Sequence, residues 1–192
     1  MAPILTFAMT AAITPGPNNI ILSTNAVNFG FRKTIPLIFG VFFGFLSVLT
    51  LCLLGIGEIY KSFPAIAMIL KIIAVLFLSY LSFKIFTSSS FSDEKNSKNF
   101  TFKDIYFFQI INPKGVTVSM SSSAIFIQNK FPYEIEFILI FICFVISTST
   151  SAVVWAAIGH SFRKYLNDQK KIIYFNRTMA LLLLCSIFVI MI

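Results

Sequence analysis

Two prolines interrupt an apolar stretch near the N-terminus, at Thr14-Pro15-Gly16-Pro17-Asn18-Asn19. The apolar runs on either side are each too short to cross a bilayer, but together they are long enough. Because proline lacks a backbone N–H, Pro15 and Pro17 should leave the carbonyls of Ala11 and Ile13 without helical partners. In hydrocarbon such a break is tolerated only inside protein or beside a watery cavity. We therefore weigh a packed proline kink against an interrupted helix at a substrate site, and we favour the second.

The composition predicts an integral membrane protein. Hydrophobic residues make up 57% of the chain and charged residues only 11%, and the mean hydropathy is +0.89. The net charge of +8 would suggest a nucleic-acid partner in a soluble chain, but here the basic residues lie between apolar runs, so no nucleic acid is expected. The cysteines lie inside apolar runs without CxxC spacing, which predicts neither a disulfide framework nor a thiolate metal site. The N-terminus lacks a basic region and a cleavage site, so we expect a retained span and no signal peptide.

Hydropathy and turn residues divide the chain into six predicted spans, at about residues 2–29, 34–57, 64–86, 104–128, 134–159 and 172–192. Glu58 and Lys61 are expected to close the second span. The fourth span is broken in its turn, at Asn112-Pro113-Lys114-Gly115. A polar, serine-rich connection at about 87–103 separates two halves of a single transmembrane domain. The first half covers about 1–86 and the second about 104–192.

Lysine and arginine are distributed unequally between the two sides of this arrangement. Only Lys61 and Lys130 lie on one side, and the other side should be cytoplasmic because it carries Arg32, Lys33, Lys84, Lys95, Lys98, Lys103, Arg163, Lys164, Lys170, Lys171 and Arg177. Both termini are then extracytoplasmic. If the first segment were a re-entrant loop instead, the N-terminus would move to the cytoplasmic side.

Two halves of three spans, each with its first helix interrupted, fit an all-α protein built from two inverted three-helix repeats. In transporters of this kind, paired interrupted segments are the best indication of the substrate site. Helix N-termini after the breaks can bind a carboxylate, through the amides of Asn18, Asn19, Ile20, Lys114, Gly115 and Val116. Free carbonyls and amide side chains can bind an ammonium, and the candidates are the carbonyls of Ala11, Ile13 and Gln109 and the side chains of Asn18, Asn19 and Asn112.

Lys114 is the most informative single residue. A cation near the membrane centre costs about 2.5–3.5 kcal/mol on insertion scales, so its retention indicates a partner or a task. No Asp or Glu is expected deep in any span, so its partner is either a helix carbonyl or the carboxylate of a substrate. A structural alternative is that its long stem reaches one interface. Because a cationic substrate would find no counter-charge, the sequence favours a neutral amino acid.

Three further features have structural interpretations. Gly40 and Gly44 let another helix approach, and we favour internal packing over a dimer contact, while a homo-oligomer stays open. The run Ser147-Thr148-Ser149-Thr150-Ser151 is expected to serve packing. His160 has a pKa suited to carrying protons, but its place at the cytoplasmic end of span five favours a surface or capping role.

These motifs resemble those of the LysE/RhtB family of bacterial amino-acid exporters over nearly the whole chain. The segments that carry the resemblance are Thr14–Ile20, Gly30-Phe31-Arg32, Gly40 with Gly44-Phe45-Leu46, Gln109, Asn112-Pro113-Lys114 and Asn176–Leu183. The Pro-Gly-Pro-Asn-Asn form, Gly159-His160 and the final span are most similar to the branch of cysteine and O-acetylserine exporters. Two segments depart from the pattern: Ala74–Leu78 lacks a small residue and a hydroxyl, and Phe45 replaces a polar or acidic residue.

The resemblance implies a secondary transporter in the bacterial inner (plasma) membrane, driven by the proton gradient. Its expected cargo is a small neutral amino acid or derivative, of the cysteine/O-acetylserine or the threonine/homoserine class. Phe45 has no titratable group, so proton coupling through an acidic side chain at that position is not expected. Together the residues and the resemblance predict a substrate site, with neither cofactor nor metal, formed by Pro15, Gly16, Pro17, Asn18, Asn19, Gln109, Asn112, Pro113, Lys114 and Gly115.

Other classes of function fit the sequence less well. A divalent cation exporter of related architecture is the main alternative, and it is weakened because no His, Cys or carboxylate cluster is seen within the spans. A membrane enzyme is disfavoured because no acid/base pair or activated nucleophile is visible. A structural helper subunit would leave two costly helix breaks without a purpose.

Overall fold

The computed structural model describes residues 1–55, 57, 62–88, 100–128, 130–166 and 168–191. Within these ranges the regular secondary structure is entirely helical. The helices that it describes are α1 (Ala2–Ile13), α2 (Pro17–Phe29), α3 (Phe31–Leu53), α4 (Pro64–Phe86), α5 (Phe102–Ile111), α6 (Pro113–Phe126), α7 (Tyr133–Arg163) and α8 (Gln169–Met191). Glu58, Lys61 and most of the predicted polar connection at 87–103 lie outside the described residues.

Both predicted interruptions separate helices that are short. Helices α1 and α2 have 12 and 13 residues, and α5 and α6 have 10 and 14, whereas a single crossing needs about 20. In the described part of the chain, the helices long and apolar enough to cross a membrane alone are Phe31–Leu53, Met68–Phe86 and Tyr133–Arg163. The exposed face of α4 carries large apolar side chains such as Ile69, Leu76 and Phe83, which suits contact with lipid.

Glycines bring α3 and α5 unusually close together. A Cβ added to Gly40 would lie 2.8 Å from the carbonyl oxygen of Phe102, and one added to Gly44 would lie 2.7 Å from that of Tyr106. Ser47 continues this face, because its hydroxyl lies 3.1 Å from the hydroxyl of Tyr106. The prediction that Gly40 and Gly44 serve internal packing is therefore confirmed.

Helix α2 lies at the centre of the molecule and is buried along almost its whole length. It meets α7 at Gly159, where an added Cβ would lie only 2.7 Å from the Cα of Ser23. It is tied to α8 by a reciprocal pair of amides, since the Nδ2 atoms of Asn28 and Asn176 donate to each other's Oδ1 at 2.9 and 3.0 Å. Both asparagines are buried, so this pair satisfies polar groups that would otherwise be costly.

The helices of the two halves pack across each other. Helices α1 and α2 pack mainly on α7, whereas α5 and α6 pack mainly on α3. Helix α3 also packs on α7, and α4 packs on α8. Each interrupted pair is thus held mainly by a helix from the other half of the chain, and the two breaks lie close to each other.

A buried carboxylate that we did not expect lies in the first turn of α7. Glu136 accepts hydrogen bonds from the backbone N–H groups of Gln128 at 2.9 Å and Lys130 at 3.1 Å. These bonds fix the connection between α6 and α7. Glu136 is buried but close to a helix end, so it does not supply a carboxylate to the middle of a span.

Candidate substrate site

The first break leaves carbonyls without helical partners around the end of α1, and side chains bind those of Ala12, Ile13 and Thr14. Gly16 is extended, with φ −171° and ψ 179°, so α2 begins only at Pro17. The hydroxyl of Ser151 donates to the carbonyl of Ala12 at 2.7 Å, and the indole Nε1 of Trp155 donates to that of Ile13 at 3.2 Å. Helix α7 therefore supplies a hydrogen bond at Ile13, one of the two carbonyls that the sequence predicted to lack a helical partner.

Asn19 closes the same break from within α2. Its Nδ2 donates to the carbonyl of Ala12 at 2.9 Å and to that of Thr14 at 3.0 Å. The side chain is buried and lines the cavity, and both protons of its amide group are used by the protein. In this structure Asn19 holds the broken backbone in shape and has no donor left for a ligand.

The second break centres on Asn112, which ends α5 and precedes the first residue of α6, Pro113. Its Nδ2 donates to the Oε1 of Gln109 at 3.2 Å. Its Oδ1 is buried and accepts no hydrogen bond from any described residue, although Asn112 is only 1% exposed. A buried acceptor without a donor is costly, so this oxygen is available for a ligand that carries N–H groups.

Amide side chains join the two breaks directly. The Nδ2 of Asn18 donates to the Oε1 of Gln109 at 2.9 Å, and the Nε2 of Gln109 donates back to the Oδ1 of Asn18 at 2.9 Å. Gln109 also donates to the carbonyl of Ile105 at 3.1 Å. Gln109 therefore positions both Asn18 and Asn112.

Lys114 crosses from the second break to the first. Its Nζ donates to the carbonyl oxygen of Thr14 at 2.7 Å, so a helix carbonyl is its partner in this structure. The lysine side chain lies against Gly16, where an added Cβ would be 3.1 Å from its Cδ and 3.2 Å from its Nζ. The absence of a side chain at Gly16 gives Lys114 room to reach the first break.

The two breaks border one cavity, which is partly open to the outside. Of the predicted site residues, Gly16, Pro17, Asn18, Asn19, Asn112, Lys114 and Gly115 line it. Pro15, Gln109 and Pro113 do not, and they act on the site by shaping the backbone or by positioning the asparagines. Lys114 is the only charged residue among the described residues that line the cavity.

Other lining residues come from α1, α3, α6 and α7 and were missing from the predicted site. They are Ala11, Ala12, Val41, Phe45, Val118, Phe144, Thr148, Ser151 and Ala152. The hydroxyl run on α7 was the sequence signal for Thr148 and Ser151, and we interpreted it as packing. That interpretation holds for Ser147 and Ser149, whose hydroxyls donate to carbonyls of their own helix. It is incomplete for the two residues that face the cavity.

Apart from Lys114, no described residue that lines the cavity is titratable. His160 is exposed near the end of α7, with its ring centroid 6.4 Å from that of Phe31, and it does not line the cavity. Cys52 and Cys143 are buried as apolar packing residues, and Cys185 is exposed. Among the described residues, no group of three or more His, Cys, Asp or Glu could hold a metal ion.

A helical membrane protein with a cavity between two interrupted helices, lined by a few polar side chains, has the construction of a secondary transporter. The chain matches the family model described as LysE type translocator over residues 9–191, and it belongs to that family. It is accordingly a multi-pass protein of the bacterial inner membrane.

Curated relatives resemble the chain over almost their entire length. A cysteine/O-acetylserine efflux protein of Shigella flexneri is 27% identical over 97% of this chain and 98% of its own length. The cysteine/O-acetylserine efflux protein of Escherichia coli (strain K12) is 26% identical over 95% of this chain and 93% of its own length. No solved structure matches the chain.

Proposed function

We propose that this protein exports small neutral amino acids or their derivatives across the inner membrane by alternating access. The observation that carries this proposal is that Lys114 and Asn112, whose Oδ1 accepts no hydrogen bond from any described residue, both line one cavity between two helix breaks. One group can bind a carboxylate and the other an ammonium, which are the two charges that every α-amino acid presents. The efflux proteins named above as relatives support the same class of cargo.

In the proposed complex the substrate carboxylate takes the place of the Thr14 carbonyl as the partner of Lys114. That carbonyl keeps its hydrogen bond from Asn19, at 3.0 Å, so releasing the lysine does not leave it bare. The substrate ammonium donates to Asn112, whose Nδ2 stays bonded to Gln109. Binding therefore satisfies an orphaned acceptor and exchanges a neutral partner of Lys114 for a charged one, and both changes favour the complex.

The charge of the cavity supports a neutral substrate. None of the described lining residues is acidic, so the side chain of lysine or arginine would enter beside the ammonium of Lys114 without a counter-charge. Two like charges in a site of low dielectric repel strongly. A measured preference for cationic over neutral amino acids would rule out this part of the proposal.

The cross-packing of the two halves supports an inverted repeat of three spans each, with repeats at about 1–86 and 104–192 in one transmembrane domain. When Pro17 is matched to Pro113, Asn18 corresponds to Lys114, because each is the second residue of the helix after a break. Each reaches the end of the other interrupted pair, Asn18 at Gln109 and Lys114 at Thr14. Such an exchange of equivalent contacts is what a two-fold relation between the halves produces.

Orientation and energy source complete the proposal. The distribution of lysine and arginine places both termini on the extracytoplasmic side. The proton gradient drives export, as the family resemblance implies. Dissipating the proton gradient in loaded vesicles should then abolish uphill movement of substrate while leaving exchange of substrate across the membrane.

Export is tested in cells loaded with amino acids through dipeptides. The wild-type chain should speed the appearance of one or a few neutral amino acids outside the cell, relative to cells without it. Lys114→Ala and Asn18→Ala should abolish this gain at matched membrane abundance. Lys103→Ala, which removes an exposed cation at the start of α5, is the matched control and should export normally. If the wild-type chain accelerated no amino acid, the proposal would be wrong, and transport of divalent cations would be measured next.

A further inference from the structure

One buried residue in the run on α7 carries a hydroxyl that differs from those of its buried neighbours in the run. Ser147 donates to the carbonyl of Cys143 at 2.6 Å, and Ser151 donates to that of Ala12 at 2.7 Å. Thr148 lies between them and is only 7% exposed, yet its hydroxyl makes no hydrogen bond with any described residue. Threonine in a helix often donates a hydrogen bond to a backbone carbonyl three or four residues earlier, and the Thr148 hydroxyl does not form this bond.

The position of Thr148 connects this hydroxyl to the candidate substrate site. Thr148 lines the cavity together with Phe144, one turn earlier on the same face of α7. The ring of Phe144 lies 5.5 Å, centroid to centroid, from that of Phe45. Phe45 in turn borders Gly115, where an added Cβ would lie 3.6 Å from its ring and 3.7 Å from the side chain of Asn112. A continuous wall therefore runs from the orphaned acceptor at Asn112 to the orphaned hydroxyl at Thr148.

The cavity thus presents three groups with different chemistry. Lys114 is a cation, Asn112 offers an acceptor, and Thr148 offers a hydroxyl that can both donate and accept. The first two suffice for the α-carboxylate and α-ammonium of an amino acid. The Thr148 hydroxyl is left for the side chain of the substrate. The rings of Phe45 and Phe144 line the same cavity and leave room for a short substrate side chain.

We propose that Thr148 determines specificity by hydrogen bonding to a polar atom in the side chain of the substrate. This inference rests on the proposed function, and it narrows the cargo to short side chains that carry a hydroxyl, thiol or similar group. An apolar side chain of the same shape displaces water from the Thr148 hydroxyl and offers it no hydrogen bond in return, and that loss works against its binding. The site should therefore prefer a polar substrate to its apolar isostere by about three- to tenfold.

The test uses the full chain, purified and reconstituted in proteoliposomes, and compares pairs of amino acids that differ by one polar atom. L-Serine is paired with L-2-aminobutyrate, and L-homoserine with L-norvaline, so that a methyl group replaces each hydroxyl. The measured quantity is the ratio of kcat/KM for transport within each pair. We expect the polar member to be favoured by about three- to tenfold in at least one pair.

Thr148→Val keeps the branched shape and removes only the hydroxyl, so it should bring that ratio close to one. Thr148→Ser restores a hydroxyl and should recover most of the preference, which separates specificity from a general packing defect. Thr150→Val is the matched control, because Thr150 is exposed on the same helix and does not line the cavity; it should leave the ratio unchanged.

The outcomes separate this inference from the function on which it rests. If the wild-type chain transports amino acids but Thr148→Val leaves the ratio as it was, the role of Thr148 is overturned and the exporter remains. The same holds if the wild-type chain favours the apolar member of both pairs. If no amino acid of either pair moves, in cells or in proteoliposomes, the proposed function is overturned and the inference falls with it.

Discussion

Lys114 and Thr14 lie 100 residues apart in the chain, and a hydrogen bond of 2.7 Å joins the Nζ of the lysine to the carbonyl oxygen of the threonine. The bond connects the helix after the second break to the backbone of the first. It is formed by a cation in an apolar protein and a carbonyl that a proline break has freed. Any ligand that draws Lys114 away must therefore act on both breaks at once, which makes this contact a natural point of coupling between binding and conformational change.

The space at Gly16 leads to a first prediction. A Cβ there would lie 3.1 Å from the Cδ of Lys114, so Gly16→Ala should push the lysine side chain away from Thr14. Because the obstructed atoms belong to a flexible side chain, the protein should keep its fold. We expect export to fall several-fold while the thermal midpoint in detergent changes little. A loss of folded protein that accounts for the whole loss of export would contradict this account.

The contact between α3 and α5 leads to a second prediction, on stability. Gly44→Ala places a Cβ 2.7 Å from the carbonyl oxygen of Tyr106, which is backbone and cannot move aside easily. Overpacking of this kind costs about 1–3 kcal/mol, so the midpoint of thermal unfolding in detergent should fall. Gly57→Ala is the control, because among the described residues its Cβ would meet only the flexible side chain of Met120, at 3.4 Å. Equal midpoints for the two variants would show that the helices have room to separate.

The buried amide pair between α2 and α8 leads to a third prediction. Replacing Asn28 or Asn176 alone by alanine leaves the other amide buried without its partner, at a cost of about 1–3 kcal/mol. Replacing both removes the pair together, so the double variant should be less destabilised than the sum of the two single variants. Denaturant unfolding of all four proteins measures this coupling. Strict additivity would mean that the two amides do not depend on each other.

Gln109 leads to a fourth prediction, because its side chain forms hydrogen bonds with Asn18 and Asn112 but does not line the cavity. Gln109→Leu keeps the approximate size and removes the bonds to Asn18 and Asn112. We expect a raised KM for the exported amino acid, of about three- to tenfold, because the acceptor at Asn112 loses its orientation. Gln109→Glu keeps an acceptor for both asparagines and should be less affected in KM. An unchanged KM in Gln109→Leu would show that Gln109 does not position the residues of the site.

Much of this architecture could be predicted from local chemistry. A proline removes one backbone donor wherever it occurs, so the helix ends at Ile13 and Ile111 follow from Pro15, Pro17 and Pro113 alone. The close approach at Gly40 and Gly44 follows from their spacing on one helix face. Lys114 is predictable as a functional residue because a charged side chain within an apolar span is costly whatever the fold.

The remaining features depend on which helices meet, and a single sequence does not carry that information. Trp155 and Ser151 satisfy the carbonyls at the first break, but nothing in their local sequence points to residues 142 and 139 positions away. Phe45 and Thr148 enter the cavity because α3 and α7 each pack on an interrupted pair from the other half. Hydroxyl side chains on an apolar helix are compatible with helix packing and with substrate binding, and only the partner of each hydroxyl separates the two roles.

If Lys114 binds the carboxylate of a neutral amino acid, competition in proteoliposomes should depend on that carboxylate. Uptake of a labelled neutral substrate by counterflow is measured with the unlabelled amino acid, or its carboxamide, as competitor. We expect the acid to inhibit the wild-type chain at least tenfold more effectively than the amide, because the amide cannot form the charge-assisted hydrogen bond to Lys114. In Lys114→Gln this difference should largely disappear. Equal inhibition by acid and amide in the wild-type chain would contradict the account.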